Sequence, residues 1–284
     1  MNIYEKGVAD LPERIKARTS VVPDTGAMNV KVAAEFGDLL QKKMEANELL
    51  TVITPVGPLD FSYFAREILN RDLDCRFLRC INMDEYIDAE GQWIPRTHPL
   101  SFRRFMDETF FSLLPEDNRP LSENIVFPDP ADPGRVTRIL DEIGGADICW
   151  GGFGITGHLA FNDPPEMLGE PDDLESFRRS PCRIVRVSPM ARAQMAMGGT
   201  DGNLDIIPER AVTLGMYELL QAKKLHLTFM RAWHAGLWRK ALFGPVTQEF
   251  PGSLVQLHEN IEITITEAAE RVPRTNTAQA TGTT

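Results

Sequence analysis

The sequence predicts an α/β protein built on a doubly wound, mostly parallel sheet with helices on both faces. Short apolar segments that suit buried strands alternate with amphipathic segments that suit helices, and this alternation recurs along most of the 284 residues. A hydrophobic content of 43% is enough to fill the large core that such a sheet requires.

The elements are predicted from hydrophobic periodicity. An amphipathic helix is expected over 29–47, because apolar side chains recur there at intervals of three and four residues. A helix is also expected from Pro133 to the Gly144-Gly145 pair, since proline favours a helix start and glycine a helix end. The other predicted strands are 49–54, 76–83, 146–150, 183–187, 211–214, 225–230 and 253–258, and the other predicted helices are 59–69, 101–113 and 235–242.

Composition limits the domain organisation and the function classes. We find no internal repeat and no linker rich in glycine, serine or proline, so we expect one domain over 1–273, followed by a disordered polar tail at 274–284. With 30 basic and 41 acidic residues the net charge is -11, which disfavours a nucleic-acid or anionic-membrane surface. The N-terminal segment does not resemble a signal peptide, and no run approaches the ~20 apolar residues of a membrane helix, so a cytoplasmic location is expected.

The cysteines point to the same compartment. Cys75, Cys80, Cys149 and Cys182 show no CxxC spacing, and the first three lie in apolar, strand-like segments. A free thiol behaves there as a small hydrophobic group. We therefore expect buried, reduced thiols rather than disulfides, and we expect no metal site.

A pair of acidic residues follows the second predicted strand. Asp84 and Glu85 come directly after the apolar run FLRCINM, and ligands of open α/β sheets bind beyond the carboxyl ends of the strands. A carboxylate fixed at a strand end is suited to remove a proton from the carbon beside a sugar carbonyl. The alternative is that Asp84 caps a turn and Glu85 is solvated.

A glycine-rich loop with a histidine follows the strand predicted at 146–150. Its four glycines include Gly154 and Gly157, and they would let the backbone approach a ligand closely. Imidazole titrates near neutrality, so His158 could open a cyclic sugar by moving a proton between the ring oxygen and the anomeric hydroxyl. Asp163 either orients that imidazole or belongs to an Asx-type turn. A dinucleotide-binding loop is disfavoured, because the spacing is not G-x-G-x-x-G and two prolines at 164–165 would interrupt the helix.

Together the two segments resemble the signatures of glucosamine-6-phosphate deaminases, in the order found in that family. They are 82–86 (NMDEY) and 154–164 (GITGHLAFNDP), and the similarity extends over about 30–265. The resemblance implies a doubly wound α/β fold and conversion of an amino-sugar 6-phosphate to a ketose 6-phosphate and ammonia, without an organic cofactor. The related 6-phosphogluconolactonases share the histidine loop but differ after the histidine.

The resemblance also implies roles for individual residues. Asp84 matches the acid/base that moves the proton between C2 and C1, and Glu85 matches its neighbour in the motif. His158 matches the ring-opening histidine, and Arg192 matches an arginine that reaches the substrate phosphate. Gly57, Gly154, Thr156, Gly157 and His234 occupy positions that are expected to bind substrate.

The sequence departs from the family pattern around the histidine. Thr156 replaces an aspartate and does not supply the negative charge that would stabilise an imidazolium. Asp163 replaces a glutamate and is one methylene shorter. A hydrogen bond from His158 to Asp163 is therefore expected to need a backbone adjustment or an intervening water.

It also departs where the family binds phosphate. The Ser/Thr-Gly-Gly-Thr loop is replaced by 54–58 (TPVGP), whose two prolines have no N–H. At the position of the family's phosphate lysine stands His234, a mostly neutral imidazole. The distal group of the substrate is therefore expected to have changed, unless neighbouring residues rebuild a phosphate pocket.

Three functions are compatible with these patterns. The leading hypothesis is an isomerase or deaminase acting on an amino-sugar phosphate, or on a related sugar with an altered distal group. The alternatives are a sugar-phosphate lactonase, in which His158 activates a water, and a non-catalytic sugar sensor. In each case the expected partner is a small sugar or sugar phosphate. A homo-oligomer is compatible with the resemblance, since members of the family are often oligomeric, but the sequence leaves the oligomeric state open.

Overall fold

The computed structural model describes residues 2–274. Its strands are β1 (Thr19–Val22), β2 (Leu50–Thr54), β3 (Leu78–Asn82), β4 (Asp84–Ile87), β5 (Ile125–Val126), β6 (Ile148–Gly151), β7 (Arg183–Arg186), β8 (Arg210–Thr213), β9 (Leu225–Phe229) and β10 (Ile261–Thr266). Its helices are α1 (Glu13–Lys16), α2 (Thr25–Ala46), α3 (Phe61–Arg71), α4 (Phe102–Thr109), α5 (Gly134–Ile143), α6 (Pro165–Leu168), α7 (Leu174–Arg178), α8 (Pro189–Gly199), α9 (Met216–Leu220), α10 (His234–Phe243) and α11 (Glu267–Glu270).

Seven strands form one parallel sheet in the order β1-β10-β9-β6-β2-β3-β5. Successive side chains of each strand point to opposite faces, so one strand contributes to two cores. In β2, Ile53 packs with residues of α5, α9 and α10, whereas Leu50 and Val52 pack with residues of α2, α3 and α4. The predicted mostly parallel sheet with helices on both faces is confirmed.

A second sheet of three antiparallel strands, β4-β8-β7, adjoins the first where β3 ends. Asp84, expected in a turn or at a strand end, begins β4 and pairs with Thr213. Met83 links the two sheets, because its N–H donates to the Thr54 carbonyl and its carbonyl accepts from the Leu214 N–H, at 3.0 and 2.7 Å. The backbone before Asp84 is thereby held from both sides.

One predicted strand is wrong. The segment predicted as strand 253–258 lies in a 3₁₀ helix, Pro251–Leu257, in which the Ser253 N–H donates to the Phe250 carbonyl. Proline and glycine at its start disfavour a strand, and its buried residues reflect packing under α10 rather than sheet pairing. The strand at this end of the chain is β10, whose β-branched sequence IEITIT pairs with β1 and β9.

All four cysteines are buried free thiols, as predicted. Among residues 2–274 no helix is long and apolar enough to cross a membrane. The division into a domain at 1–273 and a tail at 274–284 stays a prediction; apart from Arg274, the tail lies outside the described residues.

A buried arginine fastens both ends of the described chain to α10. Arg239 is 0% exposed, and its guanidinium donates to carbonyls of Lys6, Ala235, Glu270 and Arg271. These acceptors belong to the N-terminal segment, to α10 and to the segment after β10. The hydrogen bonds of this one side chain therefore connect three segments that are not paired with one another in a sheet.

Replacing Arg239 by Met is expected to lower the free energy of unfolding by about 2–4 kcal/mol. The four carbonyls, whose contacts with Arg239 are buried or partly buried, would lose their donors, and polar groups left unsatisfied away from water are costly. Urea unfolding followed by circular dichroism measures the change, with Arg135→Ala on the exposed face of α5 as the control. A loss no larger than that of the control would contradict this role.

Candidate active site

A cleft of about 260 Å³ opens at the carboxyl ends of the central strands. Its walls contain residues that lie just beyond the ends of β2, β3, β6 and β9, including Pro55, Asp84, Gly152 and Arg231. This is the edge at which open α/β sheets bind ligands. Of the residues predicted from sequence to act on substrate, Asp84, His158, Gly57, Gly154 and His234 line the cleft.

Asp84 presents a nearly buried carboxyl group to the cleft, with 7% of its surface exposed. Burial, and then the charge of neighbouring Glu85, raise the pKa of Asp84 to about 8. A carboxyl with a pKa near neutrality exchanges its proton readily at physiological pH, which suits general acid and base catalysis. A strongly shifted pKa of this kind is also typical of functional sites.

The raised pKa predicts a pH-dependent stability cost. Below about pH 4 the carboxyl is protonated in both the folded and unfolded chains, so it does not affect stability. Between about 4 and 8 only the unfolded chain releases its proton, since its pKa is ordinary, and the folded state becomes less stable as pH rises. Asp84→Asn removes this cost. Urea unfolding should show the variant gaining stability over the wild type from pH 5 to pH 8.5; an equal difference at both pH values would contradict the assignment.

Glu85 does not line the cleft. Its carboxylate is 0% exposed and caps α4: Oε1 accepts from the Phe102 N–H at 3.1 Å, and Oε2 accepts from the Ser101 hydroxyl and the Arg103 N–H at 3.0 and 2.9 Å. The Tyr86 N–H also donates to Oε1. Because side chains alternate along β4, Glu85 points away from the side that Asp84 occupies. The structure thus gives Glu85 a structural contact rather than the catalytic position predicted for it.

His158 is held by two side chains of its own loop. Its Nδ1 lies 2.9 Å from Asp163 Oδ1 and 2.8 Å from Thr156 Oγ1. The Thr156 hydroxyl in turn donates to the same Asp163 oxygen at 2.6 Å. Asp163 therefore reaches the imidazole directly, and the intervening water considered from sequence is not needed. The turn between them contains Ala160 in the left-handed region, with a φ of 51°.

The hydrogen bonds define the protonation of this group. Burial would raise the pKa of Asp163, but hydrogen bonds from His158 and Thr156 outweigh it and hold that pKa below its usual value. Asp163 is thus an acceptor only, and the single hydroxyl hydrogen of Thr156 is already directed to it. Nδ1 of neutral His158 must then carry the hydrogen. This leaves Nε2 as an acceptor that can take a proton from a ligand in the cleft.

Gly154 makes room for the imidazole. A Cβ atom at this position would lie 1.9 Å from Nε2 of His158, far inside van der Waals contact. Gly154→Ala is therefore expected to displace the ring by an ångström or more and to reduce activity by roughly a hundredfold, the loss typical of such a misplacement. Steady-state kinetics measure this. Gly236→Ala, whose Cβ would meet only Tyr4 at 3.8 Å, is the control. Equal activity of both variants would contradict the importance of the ring position.

Thr156 and Gly157, predicted to bind substrate, instead support the loop. Thr156 supplies the hydroxyl that bridges His158 and Asp163, so it takes a supporting place in spite of lacking a charge. Gly157 has a φ of 83°, and a Cβ there would lie 2.5 Å from the Phe250 ring. Its carbonyl accepts from the Gly252 N–H at 2.7 Å. Neither residue lies in the wall of the cleft.

The distal end of the cleft lies between the loop after β2 and the start of α10. Gly57 is exposed in that loop, and Asp60 at its end caps α3 by accepting from the Ser62 N–H at 3.0 Å. His234 is 4% exposed, and its Nδ1 accepts from the N–H groups of Met230 and Arg231 at 3.0 and 3.1 Å. Burial, and then the charge of Arg231, lower the pKa of His234 to about 4. His234 is therefore neutral at physiological pH.

Arg192 does not reach the cleft. Its Nη2 donates to carbonyls of Leu204 and Ile207 at 3.2 and 3.4 Å, and its Nη1 lies 3.7 Å from Glu209. Successive residues of a helix are rotated by about 100°, so Gln194, two residues further along α8, lies on another side of the helix and lines the cleft. The structure does not bring the predicted phosphate arginine to the site.

The wall of the cleft also contains Gln194, Arg231 and Trp233, of which the sequence had indicated only Arg231, as a cation that could compensate for lost phosphate contacts. Arg231 and Trp233 directly precede His234, so the end of β9 was the available signal. Gln194 lies on a helix that periodicity did not reveal, because α8 (PMARAQMAMGG) has apolar and small residues on all sides. Phe153, Phe161 and Met195 add apolar surface to the same cleft.

One group of possible metal ligands occurs in the described part of the chain. Glu35, His226 and Glu262 bring their ligand atoms together where α2 packs on β9 and β10, and none of them lines the cleft. Lys224 forms ion pairs with both carboxylates, and His226 Nε2 is 2.9 Å from the Thr264 hydroxyl. The ammonium group already occupies the position between the acids, so these residues do not fit a metal ion.

Comparisons with known proteins agree with this architecture. No protein-family model matches the chain. It is 26% identical over 248 residues to the glucosamine-6-phosphate deaminase of Lachnoclostridium phytofermentans, a match that covers 83% of this chain and 98% of the relative. It is 27% identical over 245 residues to the enzyme of that name from Lactobacillus delbrueckii subsp. bulgaricus, covering 84% and 96%.

Solved structures give the same result for the fold. A monomeric glucosamine-6-phosphate deaminase superposes with a TM-score of 0.74 at 20% identity, covering 89% of this chain and 98% of that one. A 6-phosphogluconolactonase from Shewanella baltica superposes with a TM-score of 0.60 at 14% identity, covering 87% and 97%. The chain therefore has the α/β fold that these two enzymes share, with its cleft at the strand ends of that fold. In sequence, the curated relatives to which the chain is similar over most of its length, at 26–27% identity, carry the name glucosamine-6-phosphate deaminase.

Proposed function

We propose that this protein isomerises and deaminates an amino aldose, namely glucosamine 6-phosphate or a related sugar with an altered distal group. The observation that carries the proposal is that Asp84 and His158, which come from distant parts of the sequence, face one cleft, with His158 oriented by Asp163 and Thr156. The curated relatives that carry the name glucosamine-6-phosphate deaminase support it.

His158 opens the sugar ring in this proposal. Its Nε2 is an acceptor, so it takes the proton of the anomeric hydroxyl and returns a proton to the ring oxygen as the ring bond breaks. Asp163 accepts a hydrogen bond from Nδ1 and stabilises the imidazolium that forms in between, as the third member of a catalytic triad does. The product of this step is the open-chain amino aldose.

Asp84 moves the proton between carbons. As a carboxylate it removes the proton from C2 of the open-chain sugar while the C1 oxygen takes a proton from water, which gives an enolamine with a hydroxyl on C1. It then returns its proton to C1, and the iminium formed at C2 gives a proton to the hydroxide left by that water. The resulting imine at C2 is hydrolysed by water. The net reaction is amino aldose plus water to ketose plus ammonia, in which no electrons are gained or lost overall. The pKa of about 8 allows Asp84 to serve in both directions.

Ammonia release and isotope transfer test the proposal. The purified protein is incubated in D₂O with glucosamine 6-phosphate and with free hexosamines, and ammonia and ketose are quantified. We expect equal amounts of both and deuterium at C1 of the ketose, since the proton on Asp84 exchanges with solvent. If none of these sugars gave ammonia or deuterium incorporation, the proposal would be overturned. Tight binding without hydrogen exchange would favour a sensor.

Lactone hydrolysis is the second candidate, because 6-phosphogluconolactonases have the same fold. His158 Nε2 would there deprotonate a water that attacks the lactone carbonyl, and Asp84 would have no proton to move from carbon. The sequence after His158 and the curated relatives favour the deaminase. Hydrolysis of 6-phosphogluconolactone that survives Asp84→Asn would favour the lactonase.

A further inference from the structure

The distal end of the cleft offers few hydrogen-bond donors to a dianion. Four residues of the loop after β2 line the cleft; Pro55 and Pro58 have no N–H, so Val56 and Gly57 provide the backbone donors on this side. The N-terminus of α3, which follows this loop, is already capped by the carboxylate of Asp60. A helix N-terminus attracts anions, and here a side chain of the protein fills that position with a negative charge.

The wall formed by the end of β9 and the start of α10 also offers few donors to a dianion. The N–H groups of Met230 and Arg231 donate to Nδ1 of His234, so they are directed at the imidazole and not at the cleft. His234 itself is buried and carries no charge at neutral pH. Val56, Trp233 and Met195 complete the wall with apolar surface.

One cation remains. Arg231 is exposed and lines the cleft, its guanidinium lies beside Gly198 of α8, and within residues 2–274 it forms no ion pair with an acidic side chain. Gln194 adds one amide: its Oε1 accepts from the Ile155 N–H at 2.6 Å, so its NH₂ group is the part left to donate. The distal end thus offers a single positive charge, the planar guanidinium of Arg231, which can present two N–H donors side by side.

These donors match a carboxylate. A phosphate monoester carries close to two negative charges at neutral pH, of which one guanidinium neutralises about half. A carboxylate carries one charge, and its two oxygens fit the fork of a guanidinium. We propose that the distal end of the cleft binds a carboxylate, so that the substrates are 2-amino-2-deoxyhexuronates rather than hexosamine phosphates. This inference deepens the proposed function and takes its amino-aldose chemistry from it.

Binding measurements test the distal group separately from catalysis. Titration calorimetry on Asp84→Asn, in which turnover is expected to be strongly slowed, compares glucosamine, glucosamine 6-phosphate and 2-amino-2-deoxyglucuronate, which share the ring and the amine. We expect the carboxylate to bind at least roughly tenfold more tightly than the other two, the change expected for one charge-assisted pair. Tightest binding of the phosphate, or equal binding of glucosamine and the carboxylate, would overturn the inference.

Arg231 provides the second arm. Arg231→Ala should reduce the affinity for the carboxylate by roughly ten- to hundredfold and leave that for glucosamine unchanged, while Arg231→Lys should keep part of the preference because it keeps the charge. Arg186→Ala, at an exposed arginine of β7 outside the cleft, is the matched control. Equal loss for glucosamine and the carboxylate would show a general structural effect and contradict the assignment.

Failure of the proposed function would be recognised independently. Ammonia release by the wild-type protein is measured with the same three sugars. Carboxylate-selective binding without ammonia from any of them would overturn the deaminase and retain the distal carboxylate site. Ammonia release that is fastest with glucosamine 6-phosphate would do the reverse.

Discussion

Asp84→Asn is expected to reduce ammonia release by roughly 10²- to 10⁴-fold, the usual contribution of a positioned general acid/base. The amide has almost the shape of the carboxyl group but does not take a proton from carbon. The backbone on both sides of residue 84 is fixed by the two sheets, so the substitution should leave the cleft in place. Because the folded carboxyl is destabilised by burial, the variant should be at least as stable as the wild type at pH 8.

Steady-state kinetics and solvent isotope transfer measure this effect separately from binding. We expect kcat to fall while the dissociation constant for the sugar changes little, since His158 and the distal end are untouched. Gly236→Ala on α10 serves as the control for expression and handling. Retention of deuterium transfer to C1 in the variant would show that another group moves the proton.

Much of this arrangement could be predicted from the sequence. Apolar segments of the right length placed β2, β3, β6 and β9 in a parallel sheet, and parallel strands end at a common edge. Asp84 and His158 each follow one of these strands, so their meeting in one cleft follows from topology alone. The direct contact of Asp163 with His158 was one of the two possibilities considered.

Other features depend on contacts that no local pattern encodes. In sequence Glu85 resembles a catalytic neighbour of Asp84. In the structure its carboxylate is bound by the Ser101 hydroxyl and the Arg103 N–H, which come from a later segment of the chain. The second sheet depends on pairing of β4 with β8, which is separated from it by more than a hundred residues in sequence. Such pairings are set by tertiary packing.

The distal end gives a further example. The prolines of the loop after β2 and the neutral side chain at His234 could be read from the sequence, and they indicated a changed distal group. The direction of the N–H groups toward His234, and the availability of Arg231, depend on how the end of β9 turns into α10. Arg192 was expected to supply the charge, but its neighbours Leu204 and Ile207 hold it elsewhere.

Glu85→Gln should lower stability and spare turnover, which is the opposite of the effect expected for Asp84→Asn. All groups that contact the Glu85 carboxylate are donors, including the Ser101 hydroxyl and the Arg103 N–H and guanidinium. An amide NH₂ placed among them would face donors with a donor, and the partly buried charge of Arg103 would lose its partner. We expect the free energy of unfolding to fall by about 3–5 kcal/mol, the range for breaking a buried charged pair.

Urea unfolding of the two amide variants, together with kcat of the folded fraction, separates the roles of the adjacent acids. Asp84→Asn should lose turnover and keep stability, whereas Glu85→Gln should lose stability and keep most of its turnover per folded molecule. Ser101→Ala, which removes one of the donors to Glu85, should lower stability by a smaller amount, about 1 kcal/mol. If Glu85→Gln were as stable as the wild type but inactive, Glu85 would belong to the chemistry, and the division of labour between the cleft and the cap of α4 would be wrong.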